Sequence, residues 1–104
     1  MAKVYAIQEQ PNHDLTPARK FGDIEVLLPP GNVNHSSAHL VDLLVKSLQH
    51  ITGDDWLLLT GSPVAISLAS IIAADYLHDG EKAKLRFLKW DRRQSNYIPI
   101  EVEV

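Results

Sequence analysis

Residues Trp56 to Thr60 read WLLLT, an apolar run with no polar alternation. A strand of that kind is buried on both faces, which places it in the middle of a sheet. Gly61-Ser62-Pro63 then turns the chain, with Ser62 suited to cap a helix and Pro63 to its first residue. The segment that follows, PVAISLASIIAADYLH, ends near His78 and is apolar nearly all round. One side is small: Ala65, Ala69 and Ala73, with Ser70 and Ala74 beside them. Such a helix needs cover on more than one side, from a sheet and from either a second helix or a second copy of the chain. It is too short, and too polar at its end, to cross a membrane.

The rest of the chain supplies partners for this unit. Lys3 to Gln8 is a β-prone run ended by Pro11 and Asn12-His13-Asp14. Thr16-Pro17 resembles a cap and first helical residue, and Gly22 limits that helix to a turn or two. Ile24 to Leu28 reads as a second strand, stopped by Pro29-Pro30-Gly31. Ser36 or Ser37 can cap a longer helix in which Leu40, Leu44, Leu48 and Ile51 recur at helical spacing, up to Gly53. Gly80 closes the apolar helix. Leu85 to Trp90 and Tyr97 to Val104 form two strands around a polar turn, and Pro99 puts the last strand at an edge. Strand, helix, strand, helix, strand in succession predicts parallel pairing through right-handed crossovers, with an antiparallel hairpin added. The expected fold is one α/β domain over residues 1–104. It has a small single sheet with Rossmann-like βαβ crossovers, two main helices and a C-terminal hairpin, its strand order left open.

Composition removes whole classes of chemistry. The chain has no cysteine, which excludes disulfides, thiolate catalysis, iron–sulfur clusters and Cys-ligated zinc. Apolar content of 45% and charged content of 22% are those of a folded protein. The start, MAKVYAIQEQ, has no signal-peptide pattern, so a cytoplasmic location is expected. Net charge is −3, yet Lys82, Lys84, Arg86, Lys89, Arg92 and Arg93 are six of the ten Lys and Arg residues. Within 82–93 only Asp91 opposes them.

Two surfaces follow. At Thr60, Gly61 and Ser62 a strand meets a helix N-terminus, where free N–H groups and the helix dipole favour an anion. A nucleotide or other phosphate compound would fit there, although no phosphate-loop motif or neighbouring lysine accompanies it and Ser62 is explained as a cap. Pro63 also denies Ser62 the following N–H that acyl transfer needs. The second surface is the hairpin spanning 82–97. Lys82, Lys84 and Arg86 alternate along one side, Lys89, Arg92 and Arg93 approach the tip, and Phe87, Trp90 and Tyr97 are interleaved. That mixture suits phosphate contact and base stacking, and equally suits an edge strand protected from aggregation.

His35 and His39 share helical i, i+4 spacing without the companions of a metal site, and Asp54-Asp55 reads as a turn. His13 and Asp14, in the loop after the first strand, are a weak polar candidate. No acid, base and nucleophile converge. No catalytic, metal or cofactor residue is assigned.

Several segments together resemble small proteins of tailed bacteriophages. These are Asp54-Asp55-Trp56-Leu57-Leu58-Leu59-Thr60-Gly61-Ser62-Pro63, Ala73-Ala74-Asp75, Leu88-Lys89-Trp90-Asp91-Arg92 and Tyr97-Ile98-Pro99. Val4 to Glu9 and Phe21-Gly22 fit the same pattern. The resemblance implies a viral protein made inside a bacterium and transfers no site. The leading expectation is a non-catalytic accessory protein acting through contacts with a host or phage protein, and a homodimer given its small size. The alternatives are a phosphate-ligand binder or minimal enzyme at Gly61-Ser62, and nucleic-acid binding through the basic hairpin.

Overall fold

The computed structural model describes residues 2–31, 37–78 and 84–103. Its strands are β1 (Lys3–Gln8), β2 (Asp23–Leu28), β3 (Trp56–Leu58), β4 (Lys84–Asp91) and β5 (Asn96–Glu103). A 3-10 helix (Thr16–Phe21) joins β1 to β2, while α1 (Ser37–Leu48) and α2 (Pro63–His78) make the next two crossovers. The strands form one sheet in the order β2-β1-β3-β4-β5. β1 to β4 are parallel and β5 is antiparallel to β4. The expected small α/β sheet with two main helices and a terminal hairpin is therefore present.

β3 is the central strand that its unbroken apolar run requires. Tyr5 and Phe87 flank Leu57 in register on either side, and Trp56, Leu57 and Leu58 are all buried. The strand is shorter than its sequence suggests. The Thr60 N–H turns back onto the Leu58 carbonyl at 2.9 Å, a tight three-residue turn that ends the strand, while the Thr60 carbonyl still accepts the Gln8 N–H at 3.1 Å.

Two apolar clusters sandwich the sheet. On one face Tyr5, Ile7, Leu57 and Leu85 meet Leu40, Leu44 and Leu48 of α1 and Ala65, Ala69 and Ala73 of α2. The small stripe of α2 is thus used inside the molecule, each of its three alanines fully buried. With no long side chain between them, helix and sheet approach closely. On the other face Val4, Ala6, Trp56, Leu58, Leu88 and Tyr97 pack with Ala18 of the 3-10 helix. Phe21 meets Trp56 edge to face at 5.2 Å.

Some local expectations shift. Thr16 lies within the 3-10 helix and does not precede it, and Leu15 before it makes no side-chain cap. The Asp14 carboxylate takes that part, accepting the Thr16 N–H at 2.9 Å. Ser36, His35, Gly80, Lys82 and Val104, all singled out by the sequence, lie outside the described residues. β5 is an edge strand, as Pro99 requires. The Leu88 carbonyl accepts the Leu59 N–H at 3.0 Å and so faces β3. Its register partner Pro99 therefore turns its backbone to the free edge, where the missing N–H leaves no gap in the β4–β5 ladder.

Candidate functional site

The chain passes from β1 outward to β2 and then returns to the other side of β1 to form β3. The carboxyl ends of β1 and β3 therefore flank the switch point of the sheet, where open α/β folds collect ligands. Here the crevice is occupied by the chain itself. Gln8, the last residue of β1, is only 3% exposed. Its Oε1 accepts the Ser62 N–H at 2.7 Å, and its Nε2 donates to the carbonyls of Gly31 at 2.9 Å and Pro29 at 3.2 Å. One amide thereby joins β1, the segment after β2 and the β3–α2 turn.

Gly61 makes this closure possible. Its φ of +109° is unfavourable for other residues, and a Cβ there would run into the Gln8 side chain. Thr60 is buried, its Oγ1 donating to Gln10 Oε1 at 3.3 Å. Ser62 Oγ accepts the Val64 N–H at 3.2 Å, the capping role its sequence position suggests. Thr60, Gly61 and Ser62 thus come together at the helix N-terminus, and the first N–H available to an anion already has an acceptor.

Gln8 was legible only as the polar end of the β-prone run KVYAIQ. A long amide side chain closing a central strand, with a Gly-Ser turn elsewhere in the chain, is the signal that could have drawn attention to it.

The hairpin at the far side of the same sheet end separates its charges into two groups. Lys84 and Arg86 do share a face, but Glu101 lies opposite them, at 3.5 Å from Lys84 Nζ and 3.3 Å from Arg86 Nε. The Arg86 contact is an ion pair without hydrogen-bond geometry, since the buried Nε has no hydrogen-bond partner. Its guanidinium lies 3.7 Å from the centre of the Trp56 ring, a cation–π contact that also seals the core. Lys89, Arg92 and Arg93 have no carboxylate partner for their side chains among the described residues. Asp91 accepts the backbone N–H of Arg93 at 3.0 Å. A shallow cavity of about 470 Å³ lies among these residues, its apolar part formed by Trp90, Ile98 and Ile100.

The interleaved aromatics are mostly turned inward. Tyr97 is 2% exposed and its hydroxyl donates to the Asp14 carbonyl at 3.3 Å. Burial, with a smaller contribution from Asp14, pushes its phenol up to about 12. Trp90 meets Tyr97 at 5.0 Å and His13 at 5.5 Å, both edge to face. Lys20 Nζ donates to Asn96 Oδ1 at 3.0 Å, tying the 3-10 helix to the hairpin. His13 and Asp14 thus brace the hairpin. Thr16's hydroxyl and N–H hold the Asp14 carboxyl below the usual carboxylate range.

At the opposite end of the sheet Asp55 is more than a turn residue. It is buried, accepting the Lys3 N–H at 2.8 Å on Oδ1 and the Thr52 N–H and hydroxyl at 2.8 and 3.2 Å on Oδ2. A shallow cavity of about 360 Å³ beside it is lined by Lys3, Tyr5, His50, Thr52, Asp54 and Asp55. Lys3 pairs with Glu25 at 3.4 Å, which raises its ammonium pKa. Among the described residues no cluster of three or more His, Asp or Glu could hold a metal ion. His39 is exposed. No helix among the described residues is long and apolar enough to cross a membrane.

The family described as phage Pam3 gp32-like protein matches residues 2–104. Comparison with curated proteins and with solved structures returns no match. The chain belongs to the phage Pam3 gp32-like family, in keeping with the bacteriophage resemblance of its sequence.

Proposed function

We propose that this phage-family protein is a non-catalytic accessory factor that binds a host or phage protein in the bacterial cytoplasm. The observation that carries this is the Gln8 plug. Where a ligand-binding α/β sheet keeps its switch point open, this chain fills it with a side chain whose amide oxygen and nitrogen are both hydrogen bonded. A phosphate entering beside Ser62 would have to displace that amide and leave the Pro29 and Gly31 carbonyls without their donor. The cost of an unmade buried hydrogen bond is about 1–3 kcal/mol. Polar surface is instead unspent at the hairpin tip, where an interaction with a macromolecule requires no rearrangement of the core.

Affinity capture of tagged protein from phage-infected bacteria, with and without nuclease, tests the proposal. A stoichiometric protein partner that survives nuclease is the expected result. Recovery that depends on nucleic acid would move the function to the phosphate chemistry of the basic hairpin. Thermal shift against a panel of nucleotides and inorganic phosphate checks the small-ligand alternative at Thr60, Gly61 and Ser62. A clear stabilisation by any of them would overturn the accessory role.

A further inference from the structure

Among the cations of the 84–93 segment, the two nearest the base of the hairpin are already neutralised or stacked. Glu101 serves Lys84 and Arg86, and Arg86 also covers Trp56. Lys89, Arg92 and Arg93 are exposed, and among the described residues no carboxylate forms an ion pair with them, Asp91 in the same cavity wall accepting the Arg93 backbone N–H. They surround an apolar floor in which Ile98 is half-buried and Ile100 is 39% exposed. α2 packs against β1 and β4. Ile100 and Val102 of the edge strand, on the α2 side of the sheet by their register with Phe87 and Leu85, remain exposed.

We propose that this tip cavity receives a short acidic segment of a partner protein, placing an aliphatic side chain on Ile98 and Ile100 and carboxylates against Lys89, Arg92 and Arg93. The proposal rests on the accessory-protein function and names the chemistry of its partner.

Five observations select this occupant. Uncompensated cations call for an anionic partner, and carboxylates meet Arg in bidentate geometry. The aliphatic floor calls for an apolar side chain between those charges, which a nucleic-acid backbone does not supply. Base stacking is also poorly served, because Tyr97 is buried and Trp90, although it lines the cavity, is half-buried and held edge to face by Tyr97 and His13. The free edge beyond the cavity contains Pro99, whose backbone faces outward without an N–H. A ladder added there by a second copy or by a partner strand would be interrupted, so recognition falls to side chains. The tip is also pre-organised. Asp14, His13 and Lys20 brace the hairpin from the far face, and Asp91 fixes its turn.

The test is fluorescence anisotropy with the full chain and three labelled probes. These are a peptide of Asp-Leu-Glu-Ile repeats, the same peptide with Lys at the acidic positions, and an oligothymidylate of matching length. The acidic peptide should bind, and its affinity should fall with added salt. Arg92→Glu combined with Arg93→Glu, and separately Ile100→Glu, should each weaken it at least about tenfold, near 1.4 kcal/mol. Circular dichroism of these exposed-site variants should match the parent. Absence of acidic-peptide binding, equal binding of the Lys peptide, or tighter binding of the oligothymidylate would each overturn the proposal. So would a change of mass by light scattering in the Arg variant, which would identify a second copy as the occupant. A nuclease-resistant protein partner still captured at full yield by the Arg92→Glu, Arg93→Glu variant would remove this site while leaving the accessory function standing.

Discussion

The crevice between β1 and β3 and the tip of the β4–β5 hairpin lie at the same end of the sheet and treat their polar groups in opposite ways. In the crevice, a buried amide and two turns satisfy one another, so the surface is spent on cohesion. At the tip, three cations stand over an apolar floor with no ion-pair partner among the described residues, while the hydrogen bonds beneath them brace the hairpin. Rigidity is shared by both regions, but unsatisfied chemistry is found at one. Stability and binding should therefore separate cleanly between them under mutation.

The largest effect is expected at Gly61. Gly61→Ala combines a disallowed φ with a clash on Gln8, costing about 3 kcal/mol in urea unfolding. A loss below about 1 kcal/mol would mean that the turn relaxes and that the crevice is not tightly closed.

Gln8→Glu comes next. It preserves the acceptor for Ser62 but turns a donor into an oxygen facing the Pro29 and Gly31 carbonyls, at a cost of about 2 kcal/mol at neutral pH. Those carbonyls raise the pKa of the introduced carboxyl in the folded state above its unfolded value. Stability is then greatest below the unfolded pKa, where the carboxylic acid can donate as the amide does, and is lost as pH rises through the folded pKa. A pH-independent defect would argue against the hydrogen-bond geometry. Arg86→Ala removes the stack on Trp56 and one ion pair, and should cost about 1 kcal/mol.

Tyr97 provides a smaller, pH-resolved effect. Its phenol stays protonated to about pH 12 in the folded chain, whereas the unfolded phenol ionises near pH 10. The resulting stabilisation is complete below the unfolded value and is lost as pH rises toward the folded one. Tyr97→Phe should flatten that part of the unfolding profile, and an unchanged slope would place the tyrosine in solvent. At the small end, Arg92→Ala with Arg93→Ala should change stability by less than about 0.5 kcal/mol. A larger loss would show that the tip also supports the fold.

Element types were legible because each rests on a local pattern. The unbroken WLLLT run requires burial on both faces, Leu40, Leu44 and Leu48 mark one helical face, and Pro99 admits only an edge. The candidate site was legible in part. Ser62 is the cap its sequence position predicts, and the basic residues do gather on the hairpin. Which of them remain free depends on Glu101 and Trp56, distant in sequence from Arg86, so no local pattern could separate Arg86 from Arg92. Tyr97 reads as an interleaved surface aromatic until the 3-10 helix and the loop carrying Asp14 cover it.

By itself, then, the sequence determined the α/β class, the central position of β3, the edge position of β5 and the exclusion of cysteine chemistry. These follow from periodicity, backbone capability and composition, which act over a few residues or over the whole chain at once. The tertiary structure alone decided the strand order, the filling of the switch point by Gln8 and the division of the hairpin cations into spent and free. Each depends on groups brought together from remote parts of the chain. Hydrogen bonds and ion pairs act over a few ångströms in space, whatever the separation in sequence.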